Sequence, residues 1–214
     1  MGSVIEFSSE YVSTLVIENK HYFRSLLSDI YGQVNGESGK SVLSEKVKIL
    51  DFSKYSEFID GIIGFDINRK TLVGKISSAI EKLAMNDVYY QQSAELLSVV
   101  EAYINSLCMD LTGNISSSKI NIPAIIKMAG ICINDDYNSI PEKLIDYMEL
   151  VREYDRDKLF IFVNMRSYFD DSTMEDFFAT VIDHEFKIFL IDSCSEKRLP
   201  NEKRLTIDED LCEF

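Results

Sequence analysis

Two short, uninterrupted apolar runs stand out in the hydrophobic pattern of the chain. The first, Leu159–Val163, lies between a charged segment and the polar Asn164, and the second covers Ile188–Ile191. Short runs rich in aromatic and β-branched residues are typical of strands that are buried on both faces of a parallel sheet. The pattern therefore predicts two central strands, within 158–164 and 187–192.

The segment between these two runs has the pattern of an amphipathic helix. Its apolar residues recur at i, i+3, i+4, i+7 and i+8, which places them on one helix face. They are Met174, Phe177, Phe178, Val181 and Ile182. Ser172 and Glu175 have the spacing of a capping box. Strand, helix and strand together predict a βαβ unit with parallel strands, and ligands of such open sheets usually lie beyond the carboxyl ends of the strands.

Before this unit, the chain alternates short strands with one helix. Val4–Phe7 and Thr14–Glu18 are β-prone, and Asn19 can cap a helix with an apolar stripe. Lys46–Phe52 alternates polar and apolar residues, which indicates a strand with one exposed face. Phe58–Asn68 is apolar but contains two glycines.

From Thr71 to about Tyr154 the pattern is helical almost throughout. One predicted helix covers 122–129, with Pro123 in its first turn and Gly130 just past its end, and Pro141 opens another. We therefore predict an α/β fold. Residues 1–70 and 155–214 form a head domain around a central, mostly parallel sheet, and residues 71–154 form an inserted α-helical leg domain.

Composition and charge narrow the class of protein. The chain has 214 residues, 46% of them hydrophobic, and a net charge of −14. Such a surface repels nucleic acid and anionic membranes on average, so a DNA partner would require a local basic lining. The four cysteines are widely spaced, which favours reduced thiols. Neither a signal peptide nor a membrane helix is expected from the pattern, so we expect a cytoplasmic protein.

The segment Gly36–Ser41 resembles part of a phosphate-binding loop. It contains Gly39-Lys40-Ser41, but the required first glycine is replaced by Val34. It also follows a predicted helix and precedes a predicted strand, whereas a phosphate loop follows a strand and opens a helix. A plain turn is the favoured interpretation, and nucleotide binding through Lys40 and Ser41 is the alternative.

The acidic and histidine residues give no distinct catalytic pattern. Only His21 and His184 exist, which makes a catalytic triad hard to assemble. Pairs such as Asp135-Asp136 and Asp170-Asp171 could bind a hard cation, but none has EF-hand spacing. In so acidic a chain, solvated faces and helix caps are the favoured interpretation.

Basic residues concentrate modestly at the start of the predicted helical segment, with Arg69, Lys70, Lys75 and Lys82. Lys75 and Lys82 are two helical turns apart, so both can face one phosphate backbone. The full set of candidate DNA-binding residues is Arg69, Lys70, Lys75, Lys82, Lys119 and Lys127. Lysines without interleaved aromatic residues fit backbone contacts to a duplex better than stacking on single strands.

Four segments, in order, resemble one known family. They are Ile63–Asn68, Ile125–Gly130, Ile140–Asn164 with its Ile-Pro-Glu-Lys-Leu start and Leu-Phe-Ile-Phe-Val end, and Ile207–Asp210. They are similar to segments of the CRISPR-associated adaptation protein of type II-A systems, the small non-catalytic member of the Csn series. The resemblance covers roughly residues 45–214, and the first forty residues match poorly.

The resemblance implies a function as well as a fold. The fold would be a P-loop-ATPase-like α/β head without a working nucleotide site, plus a helical leg. Members of the family form homotetrameric rings that hold double-stranded DNA in a lysine-lined hole and bind its ends. They act beside the spacer integrase and the RNA-guided nuclease when new spacers are acquired. An acidic exterior with a basic interior would reconcile the charge of −14 with a DNA partner.

The chain departs from this family where relatives bind Ca²⁺. The matching stretch, Leu111–Lys119, has no acidic side chain, and Ca²⁺ needs several oxygen ligands. Three explanations remain: the ion is lost, Lys119 replaces its charge, or Asp110, Asp135 and Asp136 supply ligands. Loss of the ion is favoured.

Three functional hypotheses follow from the sequence. The first is a non-enzymatic, tetrameric, duplex-DNA-binding protein of CRISPR adaptation. The second is a nucleotide-dependent enzyme with a P-loop-like site at Lys40 and Ser41. The third is a helical protein-interaction module that binds no DNA.

Overall fold

The computed structural model describes residues 4–194 and 197–214. The strands are β1 (Val12–Ile17), β2 (Leu43–Glu45), β3 (Lys48–Leu50), β4 (Ser56–Ile59), β5 (Leu159–Val163), β6 (Lys187–Asp192) and β7 (Glu202–Ile207). The helices are α1 (Lys20–Val34), α2 (Phe52–Tyr55), α3 (Lys70–Ala84), α4 (Tyr90–Met109), α5 (Ile122–Ala129), α6 (Ile140–Tyr154) and α7 (Asp171–Asp183). None of the helices in these residues combines the length and apolarity needed to span a membrane.

Five strands form one parallel sheet in the order β4-β5-β6-β1-β7. The predicted α/β class with a central, mostly parallel sheet is thus confirmed. β5 and β6 are neighbours in register from Leu159 opposite Lys187 to Val163 opposite Ile191, with α7 between them in sequence. The predicted βαβ unit is confirmed as well.

Both faces of the sheet are buried. Leu159, Ile161 and Val163 of β5 belong to a core cluster with Ile30 of α1. Phe162, which alternates to the other face, meets the ring of Phe177 on α7 at 6.0 Å. Burying each such side chain contributes about 1.5–3 kcal/mol to folding, which explains why the strand sequences are continuously apolar.

Some predicted elements differ in the structure. Val4–Phe7 is not a strand; Phe7 packs on the Phe189 ring at 5.1 Å while its backbone stays outside the sheet. Within 46–52, only Lys48–Leu50 is extended, and it pairs with β2 in a separate two-stranded antiparallel ribbon. Phe7 is thus half-buried by side-chain packing alone, whereas β3 leaves Ile49 74% exposed, and strand propensity anticipates neither outcome.

The predicted capping box at the start of α7 is wrong. The N-cap is Asp170, whose carboxylate accepts a hydrogen bond from the Thr173 amide at 2.8 Å, and Ser172 lies inside the helix. An aspartate is at least as good an N-cap as a serine, and its negative charge also favours the positive end of the helix dipole.

The chain divides into two compact units. The sheet unit holds the described residues up to Ile67 and from Asp136 onward, and the helical unit is Asn68–Asp135. The expected division placed the second boundary at 154/155, whereas here α6 belongs to the sheet unit. Tyr147 of α6 packs edge-on against Phe65 and donates a hydrogen bond to Glu57 at 3.0 Å, which ties α6 to β4.

Candidate nucleic-acid interface

Charge is distributed very unevenly between the two units. The helical unit has six acidic and six basic residues, so its net charge is zero. The sheet unit therefore carries the remaining 30 acidic and 16 basic residues, a net charge of −14. A phosphate backbone is repelled by the sheet unit and meets no net repulsion at the helical unit.

The six basic residues of the helical unit are the six candidate DNA-binding residues. Arg69 is the half-buried N-cap of α3, and the other five side chains are exposed. They are Lys70, Lys75, Lys82, Lys119 and Lys127. Exposure leaves their charged ends at the surface, where contact with a phosphate is possible.

Two of these lysines share one face of one helix. Lys75 and Lys82 are seven residues apart on α3, which returns to nearly the same direction after about 10 Å of helix. Lys127 lies in the last turn of α5, and α5 packs against α3. Lys119 lies in the irregular segment before α5. The structure thus places Lys75 and Lys82 on one face of α3 and packs α5, which carries Lys127, against α3.

The longest helix of this unit exposes its apolar stripe. α4 has no buried residue among its twenty positions. Leu96, Val99, Tyr103 and Leu107 recur at i, i+3, i+7 and i+11, and Val99 and Tyr103 are 67% and 62% exposed. We call these four residues the α4 stripe. An exposed apolar stripe of this length is typical of a surface that another polypeptide covers.

The loop that resembles a phosphate-binding motif is occupied by an internal anion. The amides of Lys40 and Ser41 both donate to the Asp29 carboxylate of α1, at 2.8 Å each. Burial raises the pKa of Asp29, but hydrogen bonds from Ser41, Lys40 and Gln33 outweigh it and hold that pKa below its ordinary value. The amides that would hold a phosphate therefore already bind a carboxylate of the same chain.

The loop after β1 is also unlike a phosphate-binding loop. Glu18 and Asn19 connect β1 directly to α1, and the Asn19 side chain accepts a hydrogen bond from the Tyr22 amide at 2.9 Å. The predicted Asn19 cap is confirmed. A side-chain oxygen thus takes one of the first amides of this helix, and the turn has no glycine, unlike the turn of a phosphate-binding loop.

A buried ionic cluster lies beside the sheet. Arg204 donates to both carboxylate oxygens of Glu202, at 2.8 and 2.9 Å, and Arg166 Nη2 pairs with Asp171 at 2.8 Å. Burial raises the pKa of Asp192 to about 6, although the Arg166 charge opposes this. The Asp192 Oδ1 atom has no hydrogen-bond partner among the described residues. Arg166 and Arg204 thus have carboxylate partners within the chain, whereas Asp192 Oδ1 is left without a hydrogen-bond donor among the described residues.

The residues considered for Ca²⁺ do not form a cluster. Asp110 is the C-cap of α4, Asp135 ends the helical unit, and Asp136 belongs to the sheet unit. Within 4–194 and 197–214, no group of three or more His, Cys, Asp or Glu side chains is placed to hold a metal ion. Because Ca²⁺ takes six to eight oxygen ligands, these side chains do not fit it.

Sequence reasoning missed the distribution of charge and the exposure of the α4 stripe. The first could have been found by counting charges segment by segment, since the six basic residues are already visible there. The second has no sequence signal, because an apolar stripe looks the same whether its own chain or another chain covers it.

Comparisons with known proteins agree with the observed fold, and the region they match includes the helical unit. A family model described as "CRISPR-associated protein (Cas_Csn2)" matches residues 33–211, which include the whole helical unit. The crystal structure of Stu0660 of Streptococcus thermophilus is similar with a TM-score of 0.57 and 12% sequence identity. That match covers 95% of this chain and 71% of the other. At this identity the structural likeness concerns the fold alone.

Proposed function

Because its residues 33–211 match the family model, the chain belongs to the Cas_Csn2 family of CRISPR-associated proteins, and we propose that it is a non-enzymatic protein that binds double-stranded DNA during spacer acquisition. The observation that carries the proposal is the charge distribution. All of the net charge of −14 lies on the sheet unit, whereas the helical unit, which carries the exposed lysines, has a net charge of zero.

The DNA would be held by charge and not by base sequence. Exposed lysines contact phosphates, which fixes position without reading bases. Arg69, Lys70, Lys75, Lys82, Lys119 and Lys127 are the residues proposed to face the duplex. Lys75 and Lys82 form the centre of this surface because they share one helix face.

The proposed assembly is a homotetrameric ring around the end of a linear duplex. Its support is the α4 stripe, which a second copy of the chain would bury. In a ring, basic residues from several copies face one duplex, so each copy needs few lysines. The proposed setting is the cytoplasm, and the proposed partners are the spacer integrase and the RNA-guided nuclease of the same type II-A locus.

The experiment is a titration of a labelled linear duplex of about 30 base pairs with the protein, at several salt concentrations. We expect log affinity to fall linearly with log salt concentration, with a slope of about −0.9 for each phosphate contacted. In the Lys75→Glu/Lys82→Glu variant the affinity should fall by at least about tenfold, and the slope should shrink by about 2 for each copy of the chain whose two lysines contact the duplex.

The matched control carries the same charge change on the sheet unit. Lys20→Glu/Lys48→Glu reverses two exposed lysines there and should change the affinity by less than about twofold. Closed circular duplex should compete poorly, because a ring needs an end. Equal losses in the two variants, or no binding to linear duplex at about 50 mM salt, would overturn the proposal.

No observation favours the nucleotide-dependent alternative, since Asp29 holds the amides of Lys40 and Ser41. One observation favours the interaction-module alternative, because a different protein could also cover the α4 stripe. The titration separates it from the proposal, as such a module binds no DNA at any salt concentration.

A further inference from the structure

A groove in the sheet unit lies between α6 and α7, and none of the residues proposed to bind DNA lines it. Its volume is about 820 Å³, and it is open along its length. Apolar side chains form the floor: Ile140, Ile145, Phe169 and Phe177. Phe177 is buried, and the other three are half-buried. The groove therefore exposes apolar surface that the sheet unit does not cover.

The rim of this groove is acidic. It carries the carboxylates of Glu142, Asp146, Glu149 and Asp176, and neither Lys nor Arg lines it. We call the floor and these four carboxylates the acidic groove. α7 reinforces the charge, since it has four acidic residues and no basic one, and α6 has four acidic residues against Lys143 and Arg152. Two groups beside the groove can carry positive charge. His184 lies 2.6 Å from Glu149 and is charged only when protonated, and Arg152, which is not among the lining residues, donates to the His184 carbonyl at 2.6 Å.

The carboxylates retain acceptor capacity. Asp146 accepts from the Tyr137 hydroxyl, and Glu142 accepts from the Asn138 amide at 3.3 Å. Asp176 is exposed, and its carboxylate has no hydrogen-bond or ion-pair partner among residues 4–194 and 197–214. Each carboxylate can accept several hydrogen bonds. The rim can therefore bind cationic donors without breaking the fold.

This chemistry excludes some ligands and selects one. Nucleic acid and anionic lipid would meet four carboxylates and no cation, so they are repelled. A small metabolite would be poorly enclosed, because small-molecule sites usually bury most of their ligand and this groove is open. A cationic partner with apolar residues matches both the rim and the floor.

The spacing of the rim fits a helix. Glu142, Asp146 and Glu149 stand at i, i+4 and i+7 on α6, a stripe about 10 Å long. A helix lying in the groove presents basic residues at the same spacing beside apolar residues that reach the floor. This is the helix-in-groove mode of peptide recognition.

We propose that the acidic groove docks a basic amphipathic helix of a partner protein. The apolar residues of that helix enter the floor between α6 and α7, and its Lys and Arg side chains pair with the rim. The inference is independent of the DNA-binding proposal, because it concerns different residues in a different unit.

The test measures fluorescence anisotropy of a labelled synthetic helix of about 18 residues, with Leu at i, i+3, i+4 and i+7 and Lys on both flanks. The control peptide has the same composition in an order that breaks this spacing. We expect the patterned peptide to bind the full chain at least about fivefold more tightly than the control, since both have equal charge and only one fits a groove.

Two neighbouring variants localise the binding. Asp176 lines the groove, whereas the adjacent Glu175 is exposed and lies outside it. Asp176→Lys should weaken peptide binding about tenfold and Glu175→Lys less than twofold, because close charge pairs matter more than the shared net charge. Ile145→Ala should weaken it as well, which tests the floor with a change that adds no charge.

Several results would overturn the inference. The first is equal binding of the two peptides, and the second is equal effects of Asp176→Lys and Glu175→Lys. The last is a smaller oligomer in solution for Asp176→Lys than for the natural chain. The last would mean that a second copy of the chain fills the groove. Melting curves of each variant show that it is folded, and an unchanged affinity for linear duplex separates this test from the DNA proposal.

Discussion

Asp192 is a carboxylate in an unfavourable place. It is 4% exposed at the end of β6, where burial raises its pKa to about 6. Between the ordinary carboxyl pKa of about 3.8 and this value, the folded protein binds more protons than the unfolded one. The favourable contribution of this group to stability is therefore present below pH 3.8 and is lost as the pH rises through 6.

We expect Asp192→Asn to stabilise the protein at pH 7.5 but not at pH 4. An amide avoids the cost of ionising a buried acid, which is about 3 kcal/mol at most for a shift of this size. Arg166 keeps its partner Asp171 in the variant. Urea unfolding at both pH values measures the effect. Asp183→Asn, which removes an exposed carboxylate from α7, is the control, and a difference that does not depend on pH contradicts the prediction.

Asp29 shows why a local motif can mislead. The sequence Gly39-Lys40-Ser41 suggests amides that face a phosphate, and they do face an anion. That anion is a side chain from α1, eleven and twelve residues earlier in the chain. The broken motif and its position after a helix were visible in the sequence. The identity of the carboxylate was not, because it depends on how the loop folds back on α1.

At the scale of elements, long periodic segments were predicted well. The two central strands, the helix that Asn19 caps, and α5 with Gly130 in the left-handed conformation (φ 65°) all follow their sequence patterns. The start of α7 did not, because Asp170 and Ser172 are both good N-caps and propensity does not choose between them. The predicted boundary at 154/155 differs from the division between Asp135 and Asp136, because α6 has the same sequence pattern whether it packs on helices or on a sheet.

The two candidate caps of α7 can be distinguished by substitution. Asp170→Ala removes the acceptor of the Thr173 amide and should lower the melting temperature by a few degrees, whereas Ser172→Ala should change it little. The hydrogen bonds from Thr173 hold the pKa of Asp170 below its ordinary value, so its contribution is present above that value and lost as the pH falls. A larger loss of melting temperature in Ser172→Ala than in Asp170→Ala would contradict this prediction and favour Ser172 as the N-cap.

At the scale of the whole molecule, assembly should depend on the α4 stripe. Val99→Glu/Tyr103→Glu places two charges on an apolar surface that a second copy would bury, and charges are costly in such an interface. Light scattering should give four times the 24.5 kDa chain mass for the natural chain and a smaller multiple for the variant.

The control for assembly uses the opposite face of the same helix. Ala94→Glu/Ser98→Glu adds the same charge at exposed positions off the α4 stripe and should leave the mass unchanged. If the natural chain is a monomer with or without linear duplex, or if both variants dissociate alike, the stripe does not join copies of the chain.

The strand order of the sheet has a consequence for synthesis of the chain. β1 is synthesised early, whereas both of its neighbours in the sheet, β6 and β7, are the last two strands in sequence. Val12 pairs with Glu202, 190 residues later. The sheet unit therefore cannot close until β6 and β7 have left the ribosome, and pairings this distant fold slowly. The helical unit is contiguous in sequence, so all of its internal contacts lie within residues 68–135. The helical unit can fold before β6 and β7 have been synthesised. Until then, the nascent chain carries the apolar segment of β1 without its pairing strands.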